Sequence, residues 1–230
     1  MIPNPNVKNT DVIRIAIVDD HQMLIEALAL VIEKEPGMQM VGSANTCGGA
    51  LALVQAQDPD VLLLDVSLPD GDGLSQVPEL RSACPHMQIL VLTSLADEST
   101  LLRAVELGVG GFVGKHRPVA EVFTAIRQAA EGEIVMPSSL LVGLLTRRHA
   151  PAQPRPARVL SEFEPLTARE QEILAHTAQG KSGAVIAEEL NISLMTVRTH
   201  LRNLMSKLNV HSRLEAVAFA LRNGLIEPPN

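Results

Sequence analysis

Five short aliphatic runs, each trailed by a stretch with helical spacing, fill residues 13–130 of this 230-residue chain. The runs are IRIAIV (13–18), MQMVGSA (38–44), DVLLLD (60–65), QILVLTS (88–94) and GGFVGK (110–115). Helical segments are expected over 23–34, 49–57, 74–83 and 97–107, and after Pro118, since proline suits a first helical turn. In the first of them Leu24, Leu28, Val31 and Ile32 share one face. Strands buried on both faces read as unbroken apolar runs, and strand–helix units of this length build a parallel sheet covered by helices on both sides. The expected fold is α/β, with a five-stranded, parallel, doubly wound (flavodoxin-like) sheet.

In such open sheets the functional crevice lies outside the carboxyl ends of the strands. Asp19, Asp20, Asp65, Thr93 and Lys115 all fall at or just beyond such ends. Taken singly, each has a plain structural reading. An Asp-Asp pair makes a strand-end turn, a lone lysine is solvated, and a threonine is an ordinary strand residue. Taken together, four segments deliver complementary chemistry to one edge. Three carboxylates repel one another unless a cation joins them, and a hard divalent cation such as Mg2+ takes oxygen ligands. Lys115 adds a positive charge and Thr93 a hydroxyl, so the edge suits a tetrahedral anion and the charge neutralisation of phosphoryl transfer. A carboxylate is also a competent nucleophile, and Asp65 on the central strand is the best-placed attacker.

Residues 138–148 have the spacing of a short amphipathic helix, and APAQPRPA (150–157) reads as an extended linker. A second, all-helical block begins near Leu166. Thr167 and Glu170 form a capping-box pattern, and Gly180 is a stop signal. Short helix 183–190, turn Asn191-Ile192-Ser193 and helix 194–208 suggest helix-turn-helix, with a last helix after Ser212. Val197, Leu201, Leu204 and Leu208 make the buried stripe of helix 194–208, while Arg198, Thr199 and Arg202 occupy a rotated face able to enter a major groove.

Charge is unevenly spread. Residues 1–135 hold 8 Lys/Arg against 18 Asp/Glu, residues 136–160 hold 4 Arg and no acid, and residues 161–230 hold 7 basic and 8 acidic residues. DNA contact therefore has to come from a local patch of the C-terminal block. With no Trp, no Tyr and four Phe, folds that stack RNA bases on aromatic platforms are disfavoured. Cys47 and Cys84 are too few for a disulfide framework and read as free thiols in a reducing compartment. The polar start MIPNPNVKNTD is no export signal, and no apolar run approaches the roughly 18 residues of a membrane span. A cytoplasmic protein with no membrane partner is expected.

IVDDH, LLLDVSLPDGDG, VLTS and GFVGK resemble the signatures of bacterial response-regulator receiver domains, and LTAREQEIL, IAEELNISLMTVRTHLRNLMSKL and SRLEAVAFA resemble the LuxR-type helix-turn-helix. Together they resemble the NarL/FixJ family of two-component response regulators. The resemblance implies a receiver at 12–132, a helix and Pro-rich linker at 133–161, and an all-α four-helix helix-turn-helix domain at 162–228. By the same resemblance Asp65 is the phosphoacceptor. Asp19, Asp20, Asp65 and the main-chain carbonyl of Ser67 bind Mg2+, Thr93 and Lys115 contact the phosphoryl group, and Phe112 is the aromatic switch. Asp70 and Asp72 are read as solvated turn residues. Arg198, Thr199 and Arg202 are the implied major-groove contacts; Lys181 and Thr196 are candidates for phosphates, and His200 and Lys207 for packing or phosphate binding. Ser182-Gly183-Ala184 departs from the family's Ser-Asn-Lys, which implies fewer phosphate contacts and modest affinity. The implied partners are a sensor histidine kinase, pseudo-palindromic promoter DNA and, through helix 213–223, a second copy of the chain on phosphorylation; RNA polymerase contact is compatible with that reading.

Two other readings compete. A Mg2+-dependent phosphatase using Asp65 would want an acidic residue two positions later, where this chain has Ser67. A receiver whose helical block has lost DNA binding is the other, favoured only by the missing Ser-Asn-Lys set.

Overall fold

The computed structural model describes residues 12–94, 98–136 and 164–227. Residues 138–148 and 150–160, expected as helix and linker, lie outside the described residues.

The elements run β1 (Ile13–Val18), α1 (Gln22–Ile32), β2 (Met38–Ala44), α2 (Cys47–Gln57) and β3 (Val61–Asp65). Then come β4 (Ser67–Leu68), β5 (Gly71–Asp72), a 3-10 turn (Gly73–Gln76), α3 (Val77–Ala83), β6 (Gln88–Thr93), α4 (Glu98–Glu106), β7 (Gly111–Gly114) and α5 (Val119–Ala130). The main sheet has the order β2-β1-β3-β6-β7. β1 pairs in parallel with β2 and β3, and β6 with β7. This is the doubly wound topology expected, and its strand order reverses between β1 and β3, where such sheets place their ligands.

The described residues gather into two compact units, one of residues up to Ile89 with Arg117–Ala130, the other of Leu90–His116 with the residues from Glu131 on. In the first, Ile15, Ile17, Leu62, Leu63 and Leu64 are wholly buried, as strands covered on both faces must be. In α1 the buried face is Ile25, Leu28 and Ile32, while Leu24 and Val31 are half-buried. The helix therefore sits rotated from the face read in the sequence. α2 starts two residues earlier than expected, because the Thr46 side chain accepts the Gly49 N–H and caps it. The Gly/Pro loop after β3 contains a two-residue antiparallel hairpin, Ser67–Leu68 against Gly71–Asp72.

In the second unit the helices α6 (Ala168–Ala178), α7 (Gly183–Glu189), α8 (Leu194–Leu208) and α9 (Arg213–Arg222) follow the expected pattern. Thr167, Ser182, Ser193 and Ser212 cap them in turn, Thr167 through a complete capping box with Glu170. Such caps satisfy N–H groups that a helix start leaves without partners. The core of these helices joins Ile173, Leu174, Ile186, Val197, Leu201, Leu204, Leu208, Val217 and Leu221. The stripe expected on α8 is the stripe that is buried.

Candidate functional site: an acidic strand-edge pocket and a helix-turn-helix

β1 ends at Val18, so the next residue, Asp19, leaves the sheet edge with its side chain wholly buried, whereas Asp20 is exposed. β3 ends on Asp65, which is 5% exposed. The carboxylates of Asp19, Asp20 and Asp65 and the His21 ring all offer ligand atoms within 4.8 Å of one another. Convergence of the three expected carboxylates at the switch point is therefore a feature of the first unit itself. The donor set, three carboxylates rich in oxygen, suits a hard divalent cation.

His21, the last residue of IVDDH, carries no role expected from the sequence. Its Nδ1 lies 3.0 Å from Asp19 Oδ1 and 2.6 Å from Asp20 Oδ1, and its backbone N–H donates to Asp19 Oδ1 over 2.9 Å. The ring is largely exposed, so it can leave the carboxylates without disturbing the core. The signal was its position directly after the Asp-Asp pair.

The loop behind Asp65 is set by a close backbone approach. A Cβ on Gly73 would lie 2.1 Å from the Asp65 carbonyl oxygen, and the Gly73 N–H donates to the Val66 carbonyl at 2.7 Å. Only glycine fits there. The hairpin β4–β5 carries Ser67, whose carbonyl was the expected fourth ligand.

Asp70 and Asp72 are not merely solvated. Asp70 accepts the N–H groups of Cys47 (2.8 Å) and Gly48 (3.2 Å), closing the first turn of α2 from outside the helix. The Cys47 N–H holds its carboxyl below the usual range; burial, the next largest effect, opposes this, and the Gly48 N–H adds to the lowering. Burial, then the Asp70 charge, pushes the Cys47 thiol up. Asp72 accepts the Leu74 N–H at 2.9 Å and caps the 3-10 turn. Both are structural acceptors.

In the second unit, Thr93 closes β6 and Lys115 follows β7, both half-buried, and the Lys115 N–H donates to the Thr93 carbonyl over 2.8 Å. Phe112, the expected switch residue, is 3% exposed on β7, and its N–H donates to the Val135 carbonyl at 2.7 Å.

On α8, Arg198 and Arg202 are exposed, and Thr199 and His200 are half-buried. Arg198 Nη2 lies 3.6 Å from Glu131 Oε2. Thr199 Oγ1 donates to the Met195 carbonyl at 2.9 Å, and the Thr196 hydroxyl sits 2.8 Å from that of Ser193. Lys181 Nζ is paired with Glu189 at 2.6 Å and lies 3.0 Å from His176 Nδ1. Lys207 Nζ reaches the buried Glu170 carboxylate at 2.8 Å. Of the two roles open to Lys207, its partner serves packing. Burial alone would raise the Glu170 carboxyl, but hydrogen bonds from Lys207 and the Thr167 backbone outweigh it and hold the group low.

Gly183 stands in a tight place. Its N–H donates to Glu133 Oε1 at 2.9 Å, and a Cβ there would meet that oxygen and Leu194 Cδ1, each at 3.1 Å. In α9 only Arg222 is exposed, so the face expected to dimerise is covered in this unit.

Comparison with known proteins finds two families along the chain. The response regulator receiver domain family matches residues 15–127, and the luxR family of bacterial regulatory proteins matches residues 164–220. The chain is 34% identical to the transcriptional regulatory protein LiaR of Bacillus subtilis, over 93% of this chain and 99% of that protein. It is 33% identical to the transcriptional regulatory protein YxjL of the same organism (95% and 100%) and 30% identical to the response regulator VraR of Staphylococcus aureus (94% and 99%). Among solved structures, a LuxR-family two-component response regulator from Aurantimonas is 29% identical, with TM-score 0.55 over 60% of this chain and 98% of that one. A structure of RcsB dimers bound to DNA shares the fold, with 23% identity and TM-score 0.51 over 90% and 97% of the two chains.

Proposed function

Since the chain belongs to the two-component transcriptional response regulators that pair a receiver with a luxR-type regulatory domain, we propose that phosphorylation of Asp65 governs its grip on promoter DNA. One observation carries the proposal: the carboxylates of Asp19, Asp20 and Asp65 converge within 4.8 Å where the strand order reverses. Boundaries at 12–132, 133–161 and 162–228 are part of the proposal, supported by the extents of the two family matches.

Asp19, Asp20, Asp65 and the Ser67 carbonyl would hold Mg2+, which neutralises phosphoryl charge when bound. The Asp65 carboxylate attacks the phosphorus of a phosphohistidine on a sensor kinase, and the kinase imidazole leaves as the P–N bond breaks. His21 swings from Asp19 and Asp20 to open the pocket. Lys115 and Thr93 then meet the new phosphoryl oxygens with an ammonium and a hydroxyl. As Thr93 moves inward, Phe112 takes the space it leaves. A swing from 1:99 to 99:1 between inactive and active forms needs about 5.5 kcal/mol of difference between states.

In the active form α8 enters the major groove. Arg198, Thr199 and Arg202 face bases, Lys181, Thr196 and His200 lie toward the backbone, and Lys207 supports packing. Two copies bind half-sites about one DNA turn apart, with α9 joining them once its covered face is released. The protein acts in the cytoplasm as a regulator and not as a phosphatase, a reading supported by Ser67 where a phosphatase would want an acid. No described helix is long and apolar enough to cross a membrane.

The test is acetyl phosphate with Mg2+. One long-lived phosphoryl group per chain, absent in Asp65→Asn and abolished by EDTA, is expected. Continuous release of inorganic phosphate without an adduct would favour the phosphatase.

A further inference from the structure

The amino-terminal edge of the sheet, at the other end of β3 from Asp65, carries a second cluster of ligating side chains. Asp58 closes α2 in the left-handed conformation with φ 46°. Cys84 ends α3, and Cys84-Pro85-His86 leads toward β6. The two lead-in segments are tied together where the Gln88 N–H donates to the Asp60 carbonyl at 2.9 Å. Cys84 Sγ lies 3.3 Å from Asp58 Oδ1 and 3.6 Å from both Nδ1 and Nε2 of His86, and His86 Nε2 lies 3.5 Å from Asp58 Oδ1.

The edges of that triangle match those of a coordination polyhedron, and a turn of the half-exposed His86 ring, which holds both nitrogens equally far from Sγ, aims one of them at an ion between the three side chains. A tetrahedral ion, bonded at about 2.3 Å to sulfur and about 2.0–2.2 Å to nitrogen and oxygen, sets those atoms about 3.3–3.7 Å apart. The donors also select the metal. Thiolate and imidazole suit zinc and its neighbours, whereas Mg2+ wants oxygen alone. Accessibility is divided among them: Cys84 is buried, while His86 and Asp58 keep 46% and 53% of their side-chain surface. The open side leaves room for a water as fourth ligand.

We propose that Asp58, Cys84 and His86 form a binding site for a zinc-class divalent ion, which clips the α2–β3 segment to the α3–β6 segment. The site is separate in place and in donor chemistry from the acidic pocket at the carboxyl edge. Binding releases the Cys84 thiol proton to solvent and replaces the thiol's hydrogen bond with a metal–sulfur bond.

Full-length protein stripped with chelator and titrated with Co2+ tests this. One equivalent should give the near-ultraviolet thiolate-to-cobalt band and the intense visible bands of four-coordinate cobalt, both bleached by added Zn2+. The bands should persist in Cys47→Ser and Asp65→Asn and vanish in Cys84→Ser. His86→Asn, at a half-exposed position where folding is not at risk, should weaken cobalt binding by at least about 100-fold, the upper end of what losing an outer-shell partner costs. No thiolate band in the unaltered protein, retention of full affinity in His86→Asn, or loss of the band in Cys47→Ser would each overturn the proposal.

Discussion

The backbone N–H of Lys115 donates to the carbonyl oxygen of Thr93 over 2.8 Å, which makes the ammonium-bearing and hydroxyl-bearing residues neighbours across the ends of β7 and β6. Both residues therefore stand at the carboxyl ends of paired strands. Lys115→Met keeps the length of the side chain and removes the charge. Acetyl phosphate should then label the protein on the order of 100-fold more slowly, the cost of losing one preorganised charge-stabilising donor. Unfolding by urea should be little changed. Labelling at the normal rate would remove Lys115 from the pocket's chemistry.

Gly73 and Gly48 make a matched pair. A methyl at Gly73 would collide with the Asp65 carbonyl, whereas a Cβ at Gly48 meets nothing within 4 Å. Gly73→Ala should destabilise the protein by about 1–3 kcal/mol and slow phosphorylation, because relief of the clash moves the acceptor strand. Gly48→Ala, in the first turn of α2, should be neutral or stabilise by up to about 1 kcal/mol. Equal urea midpoints for both variants would contradict the close approach behind Asp65.

Glu170 accepts hydrogen bonds from Lys207 Nζ and the Thr167 N–H, and these outweigh burial to lower its pKa below the ordinary 4.5. A lowered folded pKa means that the unfolded chain binds the proton more readily. The stabilisation is thus complete above pH of about 4.5 and is lost as pH falls through the lower folded value. Glu170→Gln should lower stability at pH 7 by about 1–3 kcal/mol and flatten its decline between pH 5 and 3, read by thermal melts at each pH. An unaltered pH profile would show that Glu170 does not contribute to the decline.

Arg198 is exposed on α8 and meets Glu131 at 3.6 Å, a separation that holds it only weakly. If it reads a base, Arg198→Ala should cost about 1–3 kcal/mol against the preferred duplex and much less against a scrambled one. Equal losses on both duplexes would make it a phosphate contact.

Legibility differed between the two kinds of structure. The sheet was readable because strands buried on both faces admit only aliphatic residues, and the polar groups at their ends stand out as soon as the runs stop. The C-terminal helices were readable because Thr167, Ser182, Ser193 and Ser212 mark their own starts through local hydrogen bonds. What escaped depends on contacts between segments distant in sequence. The start of α2 at Cys47, ahead of two glycines, rests partly on Asp70, 23 residues on. The pairing of Lys207 with Glu170 spans 37 residues and carries no local signature. The face of α1 was legible in part, with Leu28 and Ile32 buried as expected, but Leu24, Ile25 and Val31 are all apolar, and only packing against the sheet decides which turn inward. The Asp58–Cys84–His86 cluster has no such local sign, because Asp58 stands 26 residues before Cys84 and meets it only in the folded unit, whereas His21 stands directly after the Asp-Asp pair that it contacts.

Control of the grip of α8 on DNA by a phosphoryl group on Asp65 can be read in a single titration. A duplex selected from a random pool by the acetyl-phosphate-treated protein is titrated with unaltered and Asp65→Asn protein, each with and without acetyl phosphate and Mg2+, at two salt concentrations. Phosphorylation should tighten binding by about 5–150-fold, the usual range of coupling between sites. The gain should appear in the unaltered protein alone, with affinity falling as salt rises. Equal affinity of the phosphorylated and unphosphorylated protein for that duplex would contradict it.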